Sequence, residues 1–331
     1  MHGKFLDLLC CPETGELLKL NSGETLPGGD IISGTLVSLS GRQYPIVRGV
    51  PRFIDREEYV SSFGYEWNRW ARLQFDSEND GKPMAGHSTR MWEAITKAGD
   101  DRVQGKTIVE FGCGSGRFLD VVRRKGGVAV GVDMSLAVES ARNNFVDDPD
   151  VLIVQADILN PPFRSGTFDG GYAIGVLHHT PDPSTGLHSL ARTVKPGGWV
   201  ACVVYSRQGF YGYSSVARFR TLLNWVKPLL GYYPALIYAY FSAYFIAPLF
   251  ARGKRLGIVN PFLKYLEENW VVSLDYLPDL RWRVLDTFDA ITPRIASTHT
   301  SDEVQEWMRS AGCIDVRAAD WGDTSVVGVR T

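Results

Sequence analysis

Four residues in one short run carry the chemistry around which this sequence is organised: Glu110, Gly112, Gly114 and Gly116, in Ile108-Val-Glu-Phe-Gly-Cys-Gly-Ser-Gly-Arg117. Ile108-Val109 reads as a short apolar strand, the glycines as a turn, and Phe118-Leu-Asp-Val-Val-Arg123 as a helix. Glycine lets backbone approach a ligand and accepts positive φ, and a helix N-terminus offers unpaired N–H groups. Together they make a nucleotide-cofactor pocket. The dinucleotide fingerprint is G-x-G-x-x-G. Here the spacing is G-x-G-x-G, and Arg117 stands where that fingerprint wants its third glycine. Glu110, two residues ahead of the first glycine, suits a cationic ligand better than a pyrophosphate, because like charges repel. Asp133 ends the apolar run 128–132, where a carboxylate can accept bonds from two ribose hydroxyls. His178-His179 supplies side chains that titrate near neutrality.

Glu110 and Gly112-x-Gly114-x-Gly116 resemble the first motif of class I S-adenosylmethionine-dependent methyltransferases (the type 11-like group). The later motifs follow in order over about 100 residues: Val128–Asp133, Val151–Asp157, Phe168–Asp182 and Val194–Val204. The resemblance implies an α/β fold with a Rossmann-like, seven-stranded, mostly parallel sheet and helices on both faces. It implies S-adenosylmethionine as cofactor, held by Glu110, Gly112, Gly114, Gly116, Asp133, Met134, Asp157, Ile158 and Gly175. Asp157 would receive the adenine amino group. His178 or His179 would be the base for an acceptor hydroxyl, with Asp182 as its orienting carboxylate. Substrate contacts are expected from Tyr65, Trp67, Tyr205, Tyr211, Asp289, Arg294 and His299.

Residues 1–56 read as a separate β-rich unit. Leu9-Cys-Cys-Pro12 followed by Tyr44-Pro-Ile and Gly49-Val-Pro-Arg-Phe53 resembles the zinc-ribbon-like domain of the small activator subunit of tRNA and protein methyltransferases. A zinc ribbon needs about four Cys or His ligands. Cys10, Cys11 and His2 are the candidates in this segment, so a degenerate ribbon holding no metal is expected. Residues 57–205 would be the core. Its Phe63-Gly-x-x-Trp67 segment would cap the cofactor pocket. Residues 206–295 would be an aromatic lid, and 296–331 the helix and strands that complete the core. Thr300-Ser-Asp-Glu303 is a capping box. The run 229–250 is charge-free and about long enough to span a bilayer. Pro234 and Pro248 would instead bound a helix of about 13 residues, a lid surface for a peripheral membrane or a dimer contact.

Composition sets the remaining bounds. The chain has 331 residues, 44% hydrophobic and 22% charged, enough for a large core. A net charge of −2 gives no general attraction to nucleic acid. Five scattered cysteines read as reduced and intracellular. The N-terminal residues lack a signal-like apolar run. A cytoplasmic protein is expected, with membrane association open. The leading expectation is methyl transfer to a small-molecule, glycan or natural-product hydroxyl, with a lipid-linked substrate included. RNA base methylation and a cofactor-binding, non-catalytic partner role remain the alternatives.

Overall fold

A computed structural model describes the chain except residues 27, 55–59, 209, 213, 250–251, 253–256, 258–260 and 262–277. The expected boundary at 56–57 therefore lies outside the described residues. A four-stranded antiparallel sheet comes first: β1 (Lys19–Thr25), β2 (Ile31–Val37), β3 (Gln43–Val47) and β4 (Val50–Pro51). Then follow α1 (Ser61–Arg69), α2 (His87–Thr96), β5 (Thr107–Phe111), α3 (Arg117–Arg124), β6 (Val128–Asp133), α4 (Ala137–Asn144), β7 (Val151–Gln155), β8 (Phe168–Ile174), α5 (Pro183–Thr193) and β9 (Val194–Val203). The chain continues through α6 (Ser214–Leu230), α7 (Tyr233–Phe241), α8 (Leu280–Ile291), α9 (Ser301–Ser310), β10 (Cys313–Ala318) and β11 (Ser325–Arg330).

The second sheet has seven strands in the order β10-β11-β9-β8-β5-β6-β7. β9, β8, β5, β6 and β7 are parallel, while β11 runs antiparallel to both β9 and β10. The parallel strands are almost wholly buried, as a sheet covered on both faces requires. From β5 the chain steps outward to β6 and β7, then returns to lay β8 on the other side of β5. Strand order thus reverses between β5 and β8, and the crevice at their carboxyl ends is where open α/β sheets bind ligands.

The N-terminal sheet is fastened to the edge strand β7. Arg52 pairs in parallel with Gln155, and the Phe53 N–H donates to the Gln155 carbonyl at 2.8 Å. Its apolar side chains, including Leu9, Leu36 and Ile46, share one core with β6 and β7. Cys11 Sγ lies 3.1 Å from Tyr44 Oη, and burial pushes the Cys10 thiol up.

The lid differs from expectation. Pro234 opens α7, but Pro248 does not close it: a π turn at Ser242–Ile246 carries the helix on through residue 249. One wide turn moves the hydrogen-bond register, and such turns are how helices absorb an irregular residue. No helix among the described residues is long and apolar enough to cross a membrane. The inner face of α6 and α7 packs on α8 through Leu223, Leu236, Ala239 and Phe288. The outer face leaves Trp225, Leu229, Tyr233 and Ile237 exposed.

Candidate active site

The glycine turn between β5 and α3 follows from backbone geometry. Gly112, Gly114 and Gly116 all have positive φ. A Cβ on Gly112 would lie 2.4 Å from the Val176 methyls, at the contact between the β5 and β8 loops. A Cβ on Gly116 would lie 2.6 Å from the Phe145 ring. Gly116 therefore permits helix packing and does not line the cavity, unlike the other eight expected cofactor residues.

That cavity, of about 450 Å³, opens over the crevice between β5 and β8. Its strand side carries Asp133 and Asp157. Asp133 accepts from Gly114 N–H at 2.9 Å and from the N–H and Oγ of Ser135 at 2.8 and 2.7 Å. These donors fix the carboxylate at the strand end. Gly175 presents open space to the cavity, with nothing within 4 Å of where its Cβ would stand. Trp67 lies against Gly114, its Nε1 3.0 Å from the absent Cβ. A fixed acidic acceptor at the end of the second parallel strand, a Cβ-free floor and an aromatic wall suit a nucleoside cofactor. Glu110 lines the cavity, is only 2% exposed and accepts from Tyr172 Oη at 3.2 Å. Burial drives its pKa well above the usual carboxylate range.

His178 and His179 lie on the single turn Leu177–His179 after β8, on the opposite side of the same cavity. Two backbone groups set their tautomers. His178 Nδ1 accepts the Tyr205 N–H at 3.2 Å, so its proton sits on Nε2. His179 Nδ1 faces the Ile295 carbonyl at 2.8 Å; a carbonyl only accepts, so Nδ1 carries the proton and Nε2 a bare lone pair. Neither Nε2 has a hydrogen-bond partner among the described residues. One ring thus offers a donor to the cavity and the other an acceptor. Burial pushes His178 well below the ordinary histidine value and His179 to about 4, so both are neutral at physiological pH. The Tyr205 ring packs on His178 at 3.7 Å, tilted by 30°, and Tyr211 stacks on Tyr205 at 3.6 Å, closing this end.

Several expected positions fall elsewhere. Asp182 caps α5 by accepting from Thr185 and does not orient a histidine. Tyr65 turns away from the cavity and stacks on Tyr232 of the lid at 4.6 Å. Arg294 is exposed and outside the cavity. His299 bonds Ser297 Oγ at 2.8 Å and packs on Trp307; Ser297 in turn donates to the His178 carbonyl. Trp67, Tyr205, Tyr211 and Asp289 do line the cavity.

Three lining carboxylates, Glu66, Asp286 and Asp323, are not among the residues expected from sequence. Asp286 and Asp289 stand three apart on α8 and share a face, a signal the sequence does contain. Burial, and the nearby Asp289 charge, raise Asp286 from 3.8 to about 7. The folded protein therefore holds a proton there that the unfolded chain releases above pH 3.8. Stability falls as pH climbs from that value through 7. Asp286→Asn is expected to raise the melting temperature at about pH 8, by a gain on the order of 1–4 kcal/mol, and to leave it unchanged near pH 4. A gain of equal size at both pH values would contradict this.

Residues 109–202 match the methyltransferase domain family. The ubiquinone biosynthesis O-methyltransferase of Paracidovorax citrulli is 33% identical over 102 residues, 30% of this chain and 43% of that protein. The demethylmenaquinone methyltransferase of Corynebacterium kroppenstedtii is 30% identical over 123 residues, 37% of this chain and 52% of that protein. The chain thus spans about half the length of these relatives. Among solved structures, an S-adenosylmethionine-dependent methyltransferase from Mesorhizobium loti superposes with a TM-score of 0.33 at 22% identity, covering 40% of this chain and 58% of that one.

Proposed function

We propose that the chain is an S-adenosylmethionine-dependent methyltransferase acting on a hydroxyl of a small-molecule acceptor. The observation that carries this reading is the meeting, in one cavity, of the Asp133 carboxylate with the unpaired Nε2 of His179. When bound, S-adenosylmethionine supplies a sulfonium-activated methyl group. Asp133 would hold the ribose hydroxyls, and Asp157 and Ile158 the adenine. His178 Nε2–H would donate to the acceptor oxygen while His179 Nε2 takes its proton. Phe63, Trp67, Tyr205 and Tyr211 enclose the cavity and exclude water, which strengthens these polar contacts. Oxygen as the acceptor atom is supported by the O-methyltransferase relatives. Glycan, natural-product and lipid-linked hydroxyls fall within the reading. The exposed apolar face of α6 and α7 supports contact with a membrane surface or a second copy. The net charge of −2 and the carboxylates in the cavity speak against RNA.

The test is methyl transfer from isotopically labelled S-adenosylmethionine to a panel of phenols and sugar alcohols, read by product mass. Asp133→Ala serves as the cofactor control. It removes hydrogen bonds to a charged acceptor and should weaken S-adenosylhomocysteine binding about tenfold to a hundredfold. Unchanged affinity by calorimetry would remove Asp133 from the cofactor site.

A further inference from the structure

Glu66 is the most anomalous side chain in the cavity. It projects from α1, is 0% exposed, and neither carboxylate oxygen has a hydrogen-bond partner among the described residues. An unpaired carboxyl group in such a place is costly, and buried polar groups without partners mark places where a ligand can supply them. The charged groups that bear on it are Asp289 and Asp286 of α8, both acidic. Two cations face the cluster from other elements. Arg117 of α3 acts on Asp286 and Asp289, and Arg220 of α6 on Asp289. Arg220 is already engaged with the carbonyls of Ala290 and Ala296 at 3.1 and 3.5 Å. Among the described residues, three carboxyl groups therefore meet two guanidiniums, and no cation is directed at Glu66 itself. A ligand cation is what the site lacks.

The cluster lies on the histidine side of the cavity. Asp289 accepts from Tyr205 Oη at 2.9 Å, and that tyrosine's ring packs on His178. Phe63, one turn before Glu66 on α1, packs against His179 at 4.9 Å, whereas Asp133 ends β6 and Asp157 lies in the loop after β7. We propose that Glu66, Asp286 and Asp289 form a receptor for an ammonium group carried by the methyl acceptor, so that the acceptor is an amine-bearing alcohol or phenol. The ammonium's three donors can each meet one carboxyl group, whose ionised form a bound cation favours, which leaves the hydroxyl to the histidines. The inference rests on reading the cavity as a methyltransferase site.

The experiment compares amines with alcohols of the same shape: benzylamine against benzyl alcohol, and tyramine against tyrosol. Each is titrated calorimetrically into the full chain with and without S-adenosylhomocysteine. Each amine is expected to bind about tenfold or more tighter than its alcohol. Glu66→Gln, which keeps shape and removes charge, should abolish that preference and leave S-adenosylhomocysteine affinity unchanged. Asp289→Asn should narrow the preference in the same direction. Neither amine outbinding its alcohol overturns the proposal. So does a Glu66→Gln protein that loses S-adenosylhomocysteine affinity about tenfold, because the cluster would then serve the cofactor's own amino group. If wild-type protein fails to bind S-adenosylhomocysteine while the amine preference persists, the methyltransferase reading falls and the ammonium receptor stands.

Discussion

His179→Ala is expected to lower kcat by about 10²–10⁴-fold and to leave S-adenosylhomocysteine affinity unchanged. Of the two histidines, only His179 presents a bare lone pair to the cavity, because the Ile295 carbonyl requires the proton on Nδ1. His178 presents N–H there and cannot take a proton while the Tyr205 N–H occupies its other nitrogen. His178→Ala should therefore lose a hydrogen bond to the acceptor, about 1–3 kcal/mol, and disturb the stacked Tyr205 as well. Nitrogen-resolved NMR on the resting protein should show His179 unprotonated at Nε2 and His178 unprotonated at Nδ1. The pH dependence separates them further. Burial holds His179 at about 4, so the neutral base persists as pH falls from 7 and is lost only near that value. A low resting pKa makes it a weak base. The hydroxyl proton becomes acidic as its oxygen gains the methyl, and transfer can then proceed within the same step. A His179-dependent loss of activity centred near pH 6.5, the value of a solvated histidine, would show that the ring is not buried as described. Equal kcat in wild type and His179→Ala, with a true acceptor, would place the base elsewhere.

The cofactor half of the site was far more legible in the sequence than the acceptor half. Glycines with positive φ and an acid at a strand end are local features, fixed by the residues on either side of them. The resemblance to methyltransferase motifs could therefore mark Gly112, Gly114, Asp133 and Asp157. It could not mark the histidine tautomers, because the Ile295 carbonyl lies 116 residues from His179 and the Tyr205 N–H 27 from His178. Glu66 escaped notice inside an aromatic run, where Phe63, Trp67 and Trp70 dominate the pattern. Its burial depends on α8, more than 200 residues away. Arg294 and His299 had the right chemistry, but periodicity does not say which side of an irregular segment faces the cavity. His299 satisfies Ser297 and thereby supports the segment that bonds His178. In the fold, the parallel strands were readable from apolar runs. The π turn before Pro248 was not, since no residue type encodes one.

Trp199→Ala is expected to cost about 3–5 kcal/mol of stability, the range for truncating a large buried aromatic. Trp199 lies on β9, is 1% exposed, and meets Trp92 edge-on at 6.0 Å and Tyr172 in a stacked arrangement at 6.2 Å. It lies over Gly170 of β8: a Cβ there would stand 2.3 Å from Trp199 Cε2. The glycine makes the hollow and the indole fills it, so alanine at 199 leaves a cavity that two neighbouring rigid rings cannot close. The effect reaches the site through Tyr172, whose hydroxyl donates to buried Glu110 at the end of β5. A loosened Tyr172 would leave the Glu110 carboxyl without this donor beneath the glycine turn, adding an unsatisfied buried group to the cavity cost. Denaturant unfolding should show a lower midpoint with an unchanged slope, together with weaker S-adenosylhomocysteine binding. The conservative Trp199→Phe should recover most of both. A midpoint loss with full cofactor affinity would separate this aromatic layer from the glycine turn. A loss under about 1 kcal/mol would mean that the sheet closes over the gap.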